Sequence, residues 1–270
     1  MARPGATPTV FRDAEAYERF IGRWTQRLAP LLLEFAGVRD GDRILDVGSG
    51  TGSFALAVAA ATRRSEVVGI EPAAAFVAYA KTRTRDPRVR FEAGDAQSLP
   101  YADRSFDRAV AMLVVQFIPE ADPAVAEMRR VTRPGGTVAA CVWDATGGME
   151  MLRVLWDAAV ALDPAAAVHH DGQRPLSRPG EVVALWQGAG LRDVHETGLV
   201  IPLDFASFED LWAPNLTGVG PVGAYVATLA PDRQQALRDH LYATVVGPGA
   251  DGPFTLRARS WAVRGTVPDA

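Results

Sequence analysis

Asp46, the glycines at 48, 50 and 52, Glu71 and Asp95 are the residues of this chain whose types and spacing point to chemistry. Arg43 to Phe54 reads RILDVGSGTGSF, an apolar run that enters Gly48-Ser49-Gly50-Thr51-Gly52 and leaves as a helix. Glycine is needed where a ligand lies against the backbone or where φ must be positive. The GxGxG spacing alone is weak evidence; Asp46, two positions before the first glycine, narrows it. A dinucleotide site holds pyrophosphate at a helix N-terminus, and a carboxylate at the strand end would repel that group, whereas it suits a ligand carrying an ammonium and a sulfonium. Glu71 ends the run VVGI about twenty residues after the loop, where a carboxylate accepts from both hydroxyls of a ribose. That acid alone does not separate the two ligand classes. Gly94-Asp95-Ala96 follows the run VRFEA, so that Asp95 can accept from an adenine amino group while Ala96 offers its backbone. Taken singly, Asp46 reads equally well as a helix cap and Asp95 as a turn residue. Placed at successive strand ends, in order, the three acids address three parts of one ligand.

The elements that must position them follow from the pattern of apolar residues. A tail, MARPGATPTV, precedes a helix expected over Ala14 to Phe35. From Asp42 onward, RILDV, EVVGI, VRFEAG, FDRAVAML and GTVAACVW read as strands, with helices expected at about 53–61, 73–84 and 123–131. Asp122 is expected to cap the last of these helices and Pro123 to open it. Strand and helix in alternation imply a parallel sheet covered on both faces. Beyond Trp143, GGMEMLRVLWDAAVALDP reads as a helix and AAAVHHDGQRPLSRPG as a candidate lid loop. A helix at 181–188 and a strand around Val194 to Leu203 resume the rhythm. A second irregular stretch, 206–252, carries helical signal near Pro231 to Val245, and the final PFTLRARSWAVRGTV alternates like an edge strand. The expected organisation is a tail and cap helix over 1–35, a binding core over 36–144, and the remaining core over 145–270 with lid insertions near 145–178 and 205–250.

Composition sets the outer bounds. At 270 residues, 48% hydrophobic and 22% charged, the chain can bury a sizeable core. A formal net charge of −4 gives no positive field for nucleic acid or an anionic membrane. Cys141, the only cysteine, sits in an apolar run and reads as a buried structural thiol. Neither a basic leader with an apolar stretch behind it nor a long apolar span is evident, which leads to the expectation of a cytoplasmic protein, monomer or homodimer. One cysteine and scattered histidines offer no zinc pattern, so no metal is expected.

As an ordered set, ILDVGSGTG, GIEP, GDAQSLPYADRSFD and EMRRVTRPGG resemble the class I S-adenosylmethionine-dependent methyltransferases, over about Asp42 to Trp143. The leader YERFIGRWTQRLAP is similar to that of the small-molecule, type 11-like branch grouped with quinone- and biotin-pathway methyltransferases. The resemblance implies an α/β Rossmann-like, doubly wound seven-stranded sheet with its last strand antiparallel and helical lid insertions. It implies S-adenosyl-L-methionine as cofactor and a small-molecule acceptor. Gly48, Gly50 and Gly52, with Ser49, would wrap the methionine part. Glu71 and Pro72 would meet the ribose, and Asp95, Ala96 and Gln97 the adenine. Backbone near Met112 and Leu113 would face the amino group and Gln116 the methyl, while Tyr17 and Arg23 close over the cofactor, Arg23 toward its carboxylate. Several relatives place paired histidines after the fourth strand; here Val115, Gln116 and Phe117 stand there, so no general base is expected at that point and no catalytic residue is assigned. His169, His170, His195 and His240 are the remaining histidines. A nicotinamide-dependent oxidoreductase and a non-catalytic S-adenosylmethionine-binding regulator are the alternative readings. Trp143, Trp156, Trp186, Trp212, Phe205, Phe208 and Tyr225 gather in the second half, as core or as the lining of an apolar pocket.

Overall fold

A computed structural model describes residues 14–169 and 175–269, apart from the side chain of His169. The proposed tail and His170 lie outside the described residues. Seven strands form one sheet: β1 (Arg43–Val47), β2 (Glu66–Glu71), β3 (Val89–Ala93), β4 (Phe106–Met112), β5 (Thr132–Trp143), β6 (Arg192–Phe205) and β7 (Phe254–Thr266), in the order β3-β2-β1-β4-β5-β7-β6. The first five strands pair parallel, and β7 is antiparallel to both of its neighbours. This is the expected doubly wound sheet with its last strand reversed. The central strands are buried on both faces and their runs are nearly all apolar; in β1, Ile44, Leu45, Asp46 and Val47 are all buried.

Alternate residues of each strand feed opposite cores. On one face Ile44, Val110 and Cys141 pack with α2 (Arg23–Phe35), α3 (Ser53–Ala61), α4 (Ala74–Thr82) and α6 (Glu150–Leu162). On the other face Leu45, Ala109 and Val142 pack with α5 (Ala121–Val131) and α7 (Glu181–Gly188). The leader helix runs as α1 (Ala14–Tyr17), a π-helical turn (Glu18–Gly22) and α2. Pro30 lies on the exposed side of α2, away from the buried seam of Trp24, Leu28 and Leu32. α8 (Phe208–Trp212), α9 (Gly220–Thr228) and α10 (Pro231–Val245) join the first of these cores, where α9 and α10 pack on α6. Among the described residues no helix is long and apolar enough to cross a membrane.

Two local expectations need correction. β7 is not an edge strand: it lies between β5 and β6, and the edge is β6. Period-two alternation reports which face is covered, whereas edge position concerns hydrogen bonding along the strand, which the pattern does not record. Asp122 does not cap α5. The helix begins two residues earlier than expected, at Ala121, with Glu120 as an extended cap that makes no side-chain bond, and Asp122 lies in the first turn, where its charge still suits the helix N-terminus. Pro123 is tolerated there because the first-turn N–H groups have no helical partner.

Candidate active site

The strand order reverses between β1 and β4, which leaves a crevice at their carboxyl ends where ligands of such sheets bind. A cavity occupies it. The glycine loop is its floor: Gly48 N–H and Ser49 N–H donate to Ile70 C=O at 2.8 and 3.0 Å, tying the turn to β2. Gly50 lies open to the cavity at φ +53°, and a Cβ there would meet only Phe76 Cδ1 at 4.0 Å. Gly52, the cap of α3 at φ +87°, is different, because a Cβ would lie 2.6 Å from Phe91 Cζ. The third glycine serves packing and the second leaves room for a ligand.

Glu71 lines the cavity beside Pro72 and accepts from Gly50 N–H at 3.1 Å and Ala73 N–H at 3.0 Å, so one carboxylate holds both sides of the entrance. Burial raises its pKa, and the two N–H donors oppose that shift. Asp95 accepts from Gln97 N–H at 2.9 Å, a turn that presents Asp95, Ala96 and Gln97 together on the cavity wall. Met112 and Leu113 also line it. Leu113 sits at φ +62°, a strained setting for a leucine, and its N–H is tied to Cys141 C=O at 2.8 Å. Gln116 faces the cavity, and its Oε1 is buried with no partner among the described residues.

Besides Gly52, three of the expected residues lie off the cavity wall. Asp46 sits behind the loop, not on the cavity wall. Its Oδ2 accepts from Ala55 N–H at 3.2 Å in the first turn of α3, and its Oδ1 is buried without a partner among the described residues. Desolvation first, then the charge of Glu71, holds its carboxyl up at about 7 against the pull of that N–H. Ser49 is buried off the wall, with an unpartnered Oγ. Arg23 is also off the wall: its Nη1 donates to both carboxylate oxygens of Asp210 at 2.8 and 3.0 Å, and its guanidinium lies 4.2 Å from the centre of the Trp24 ring. It fastens the leader helix to α8. Tyr17 does line the cavity, edge-on to Phe76 with centroids 5.6 Å apart, and burial raises its phenol pKa.

The far end of the cavity is apolar. Phe117, Ile118, Trp143, Met149, Leu152 and Trp156 wall it, Phe20 and Ile21 of the leader close one side, and Arg153 is the one cation among the described residues that line it. Of the seven aromatic candidates, Trp143 and Trp156 line the cavity. Trp186 belongs to the opposite core, where its Nε1 donates to Val138 C=O at 2.9 Å; Phe205, Phe208 and Trp212 are buried in the first core, and Tyr225 packs against it with its ring 5.5 Å from that of Trp156. Sequence reasoning missed Phe20, Ile21, Phe76 and Arg153; for Arg153 a signal existed, a cation inside the apolar helical stripe of Met149, Leu152 and Trp156. His195 and His240 do not line the cavity, and Cys141 is buried with its thiol pushed up to about 12 by desolvation. Among the described residues no group of three or more His, Cys, Asp or Glu could hold a metal ion.

A family model described as a methyltransferase domain matches residues 45–140. The demethylmenaquinone methyltransferase of Roseiflexus sp. is 32% identical over 164 residues, which cover 56% of this chain and 68% of that protein. An uncharacterised protein of Mycobacterium tuberculosis is 32% identical over 120 residues, so that the match spans 44% of each chain. Among solved structures, phosphoethanolamine N-methyltransferase 2 of Haemonchus contortus in complex with S-adenosyl-L-methionine superposes with a TM-score of 0.59 at 19% identity, covering 95% of this chain and 57% of that one. The last likeness concerns the fold; the Roseiflexus match covers more than two thirds of that methyltransferase. The chain belongs to the S-adenosylmethionine-dependent methyltransferase family.

Proposed function

We infer that this protein transfers the methyl group of S-adenosylmethionine to a small-molecule acceptor held at the apolar end of the same cavity. The observation that carries the reading is continuity: one cavity runs from Glu71 and Asp95 at the strand ends, past Gly50 and Gln116, to Trp143 and Trp156. Its lining fits the cofactor. Glu71 would take the ribose hydroxyls, the Asp95–Gln97 turn the adenine, Gly50 the methionine chain, and the carbonyls near Met112 and Leu113 the ammonium. Asp46 would act from behind the loop through its charge, and Ser49 and Gly52 through the shape of the loop. Arg23 would act by holding the leader helix closed over Tyr17, through Asp210, in place of the cofactor carboxylate named by the resemblance.

When bound, the cofactor supplies a methyl on a sulfonium, whose sulfur departs as a neutral thioether when a nucleophile displaces it. The protein has to align acceptor and methyl and keep water out, and the apolar walls with the leader residues Phe20 and Ile21 serve both ends. Among the described residues lining the cavity, Tyr17, Glu71 and Asp95 are the acids, all at or near the nucleoside end, and none stands at the apolar end as a base. The acceptor therefore enters already nucleophilic, as a neutral amine or an anion.

Calorimetric titration with S-adenosylhomocysteine and with NAD tests the cofactor, and release of S-adenosylhomocysteine across a metabolite library tests the reaction. Binding of NAD alone would overturn the reading in favour of an oxidoreductase. Tight binding of S-adenosylhomocysteine with no turnover across a broad library would favour the non-catalytic regulator.

The two glycines separate ligand from fold. Gly52→Ala forces a Cβ against Phe91 at positive φ, and should destabilise the protein by about 2 kcal/mol. Gly50→Ala bears only the positive-φ cost, about 1 kcal/mol, but places a methyl on the cavity floor and should weaken S-adenosylhomocysteine binding about tenfold. Denaturant melts and calorimetry on both variants decide it, and equal loss of stability in the two would contradict the division of roles.

A further inference from the structure

We propose that the acceptor is an amphiphile, an apolar body bearing one carboxylate-type anion, and that Arg153 is the residue that selects it; this rests on the reading of the cavity as the joint site of cofactor and acceptor. α6 turns Met149, Leu152, Arg153 and Trp156 toward the cavity, the i, i+3, i+4, i+7 stripe of one helix face. At such a position an aliphatic side chain would gain from burial against the others. An arginine gives up part of that gain, and its local partner does not return it. Its guanidinium donates from Nη1 to Asp157 Oδ2 at 3.3 Å, between side chains 44% and 57% exposed. Exposed pairs of this kind contribute little. Arg153 thus keeps donors for a ligand in a compartment otherwise walled by Trp143, Trp156 and Phe117.

The charges along the cavity are polarised as well. Glu71 and Asp95 stand at the strand ends and Arg153 at the lid. A cationic acceptor would be repelled by Arg153, and a neutral one would give its half-exposed guanidinium no charge to pair with inside the cavity. A carboxylate answers both conditions, because the planar guanidinium presents parallel N–H donors to its two oxygens. The aromatic walls take the apolar body. The same placement agrees with the lack of a base at this end, since an acceptor that enters as an anion keeps that group deprotonated without help.

The test uses the full-length protein saturated with S-adenosylhomocysteine, titrated with matched pairs: phenylacetate, 2-naphthoate and dodecanoate, each against its primary amide, with the fluorescence of Trp143 and Trp156 and calorimetry as readouts. At least one carboxylate should bind about tenfold more tightly than its amide. Arg153→Met should abolish that preference with S-adenosylhomocysteine affinity unchanged, and Arg153→Lys should keep part of it. Asp157→Asn should keep the preference whole. The proposal is overturned if no carboxylate outbinds its amide, if Arg153→Met retains the preference, or if Asp157→Asn removes it as fully as Arg153→Met, which would assign Arg153 to its helix pair. Failure of S-adenosylhomocysteine itself to bind would sink the underlying reading of the cavity, and with it this one; normal binding without discrimination would sink this one alone.

Discussion

Asp46→Asn should make the ligand-free protein more stable at pH 8 and at the same time weaken its binding of S-adenosylhomocysteine by one to two orders of magnitude. Both halves come from one buried carboxyl. Asp46 is 1% exposed, accepts a single backbone N–H, and is held at about 7 by desolvation from an ordinary value of 3.8. Between those values the unfolded chain gives up this proton and the folded chain keeps it, so stability is full below about 4 and falls as pH rises to 7, by about 1.4 kcal/mol for each unit of the shift. Above 7 the folded protein carries an ionised, half-satisfied carboxylate. An asparagine keeps an acceptor for Ala55 N–H and removes that charge. Thermal melts should show wild type gaining stability from pH 8 to pH 6, and the variant lacking most of this gain and melting higher at pH 8.

The ligand reverses the preference. An ammonium brought close in a poorly solvated site favours the ionised form, so binding should release a proton and wild-type affinity should rise as pH increases through 7; the variant should show a flat profile. A variant that binds as tightly as wild type at pH 8 would remove the electrostatic basis for reading this loop as a site for a cationic nucleoside. One that is less stable than wild type at pH 8 would show that the Asp46 Oδ1, without a partner in the ligand-free protein, is satisfied in a way the distances do not reveal. On both results together, the loop would keep a destabilising charge for the sake of binding.

Why some of this was legible in the sequence and some was not follows from the range of the interactions involved. The loop after β1 is local: the apolar run, the glycines at positive φ and the acids at strand ends each declare themselves within a few residues, and Glu71, Asp95 and Gln116 do line one cavity. α8 is only five residues long, and Gly220, Pro221 and Gly223 interrupt the helical period of α9, so neither declares itself in the pattern; tertiary packing of Phe208, Trp212 and Val226 supplies what the pattern lacks. The π-turn at Glu18–Gly22 left no pattern either. It depends on Gly22, where a Cβ would strike the Glu18 carboxylate that reaches Arg83 and Gln26. Arg23 was expected at the ligand, yet its partner Asp210 is 187 residues away, beyond any spacing argument. The position of β7 inside the sheet is likewise a matter of pairing between distant segments.

Asp42→Ala should lower the melting temperature by about 10 °C, the result of a loss of 3–5 kcal/mol, without altering S-adenosylhomocysteine affinity. Asp42 stands just before β1 and Arg108 in β4, at the end of the sheet opposite the cavity. The carboxylate accepts from Arg108 Nε at 2.5 Å and from Arg39 N–H at 2.8 Å, with the two side chains only 11% and 10% exposed. Arg108 Nη1 donates in turn to Ala36 C=O at 2.9 Å and to Thr137 Oγ1 at 2.7 Å, so one guanidinium joins the end of α2 to β1, β4 and β5. Two such charges lose most of their attraction to the cost of leaving water, and the pair as a whole adds little to stability. Removing one partner is another matter, because Arg108 cannot shed its proton and stays charged in a dry site. The double variant Asp42→Val with Arg108→Met should therefore recover much of the loss seen in Asp42→Ala, as two apolar groups replace the pair. If the double variant is less stable than Asp42→Ala, then the hydrogen bonds to Ala36 and Thr137 hold the strands together more strongly than the ion pair does. A change in ligand affinity in either variant would mean that the two ends of the sheet are coupled, against the expectation that the distant cavity is untouched.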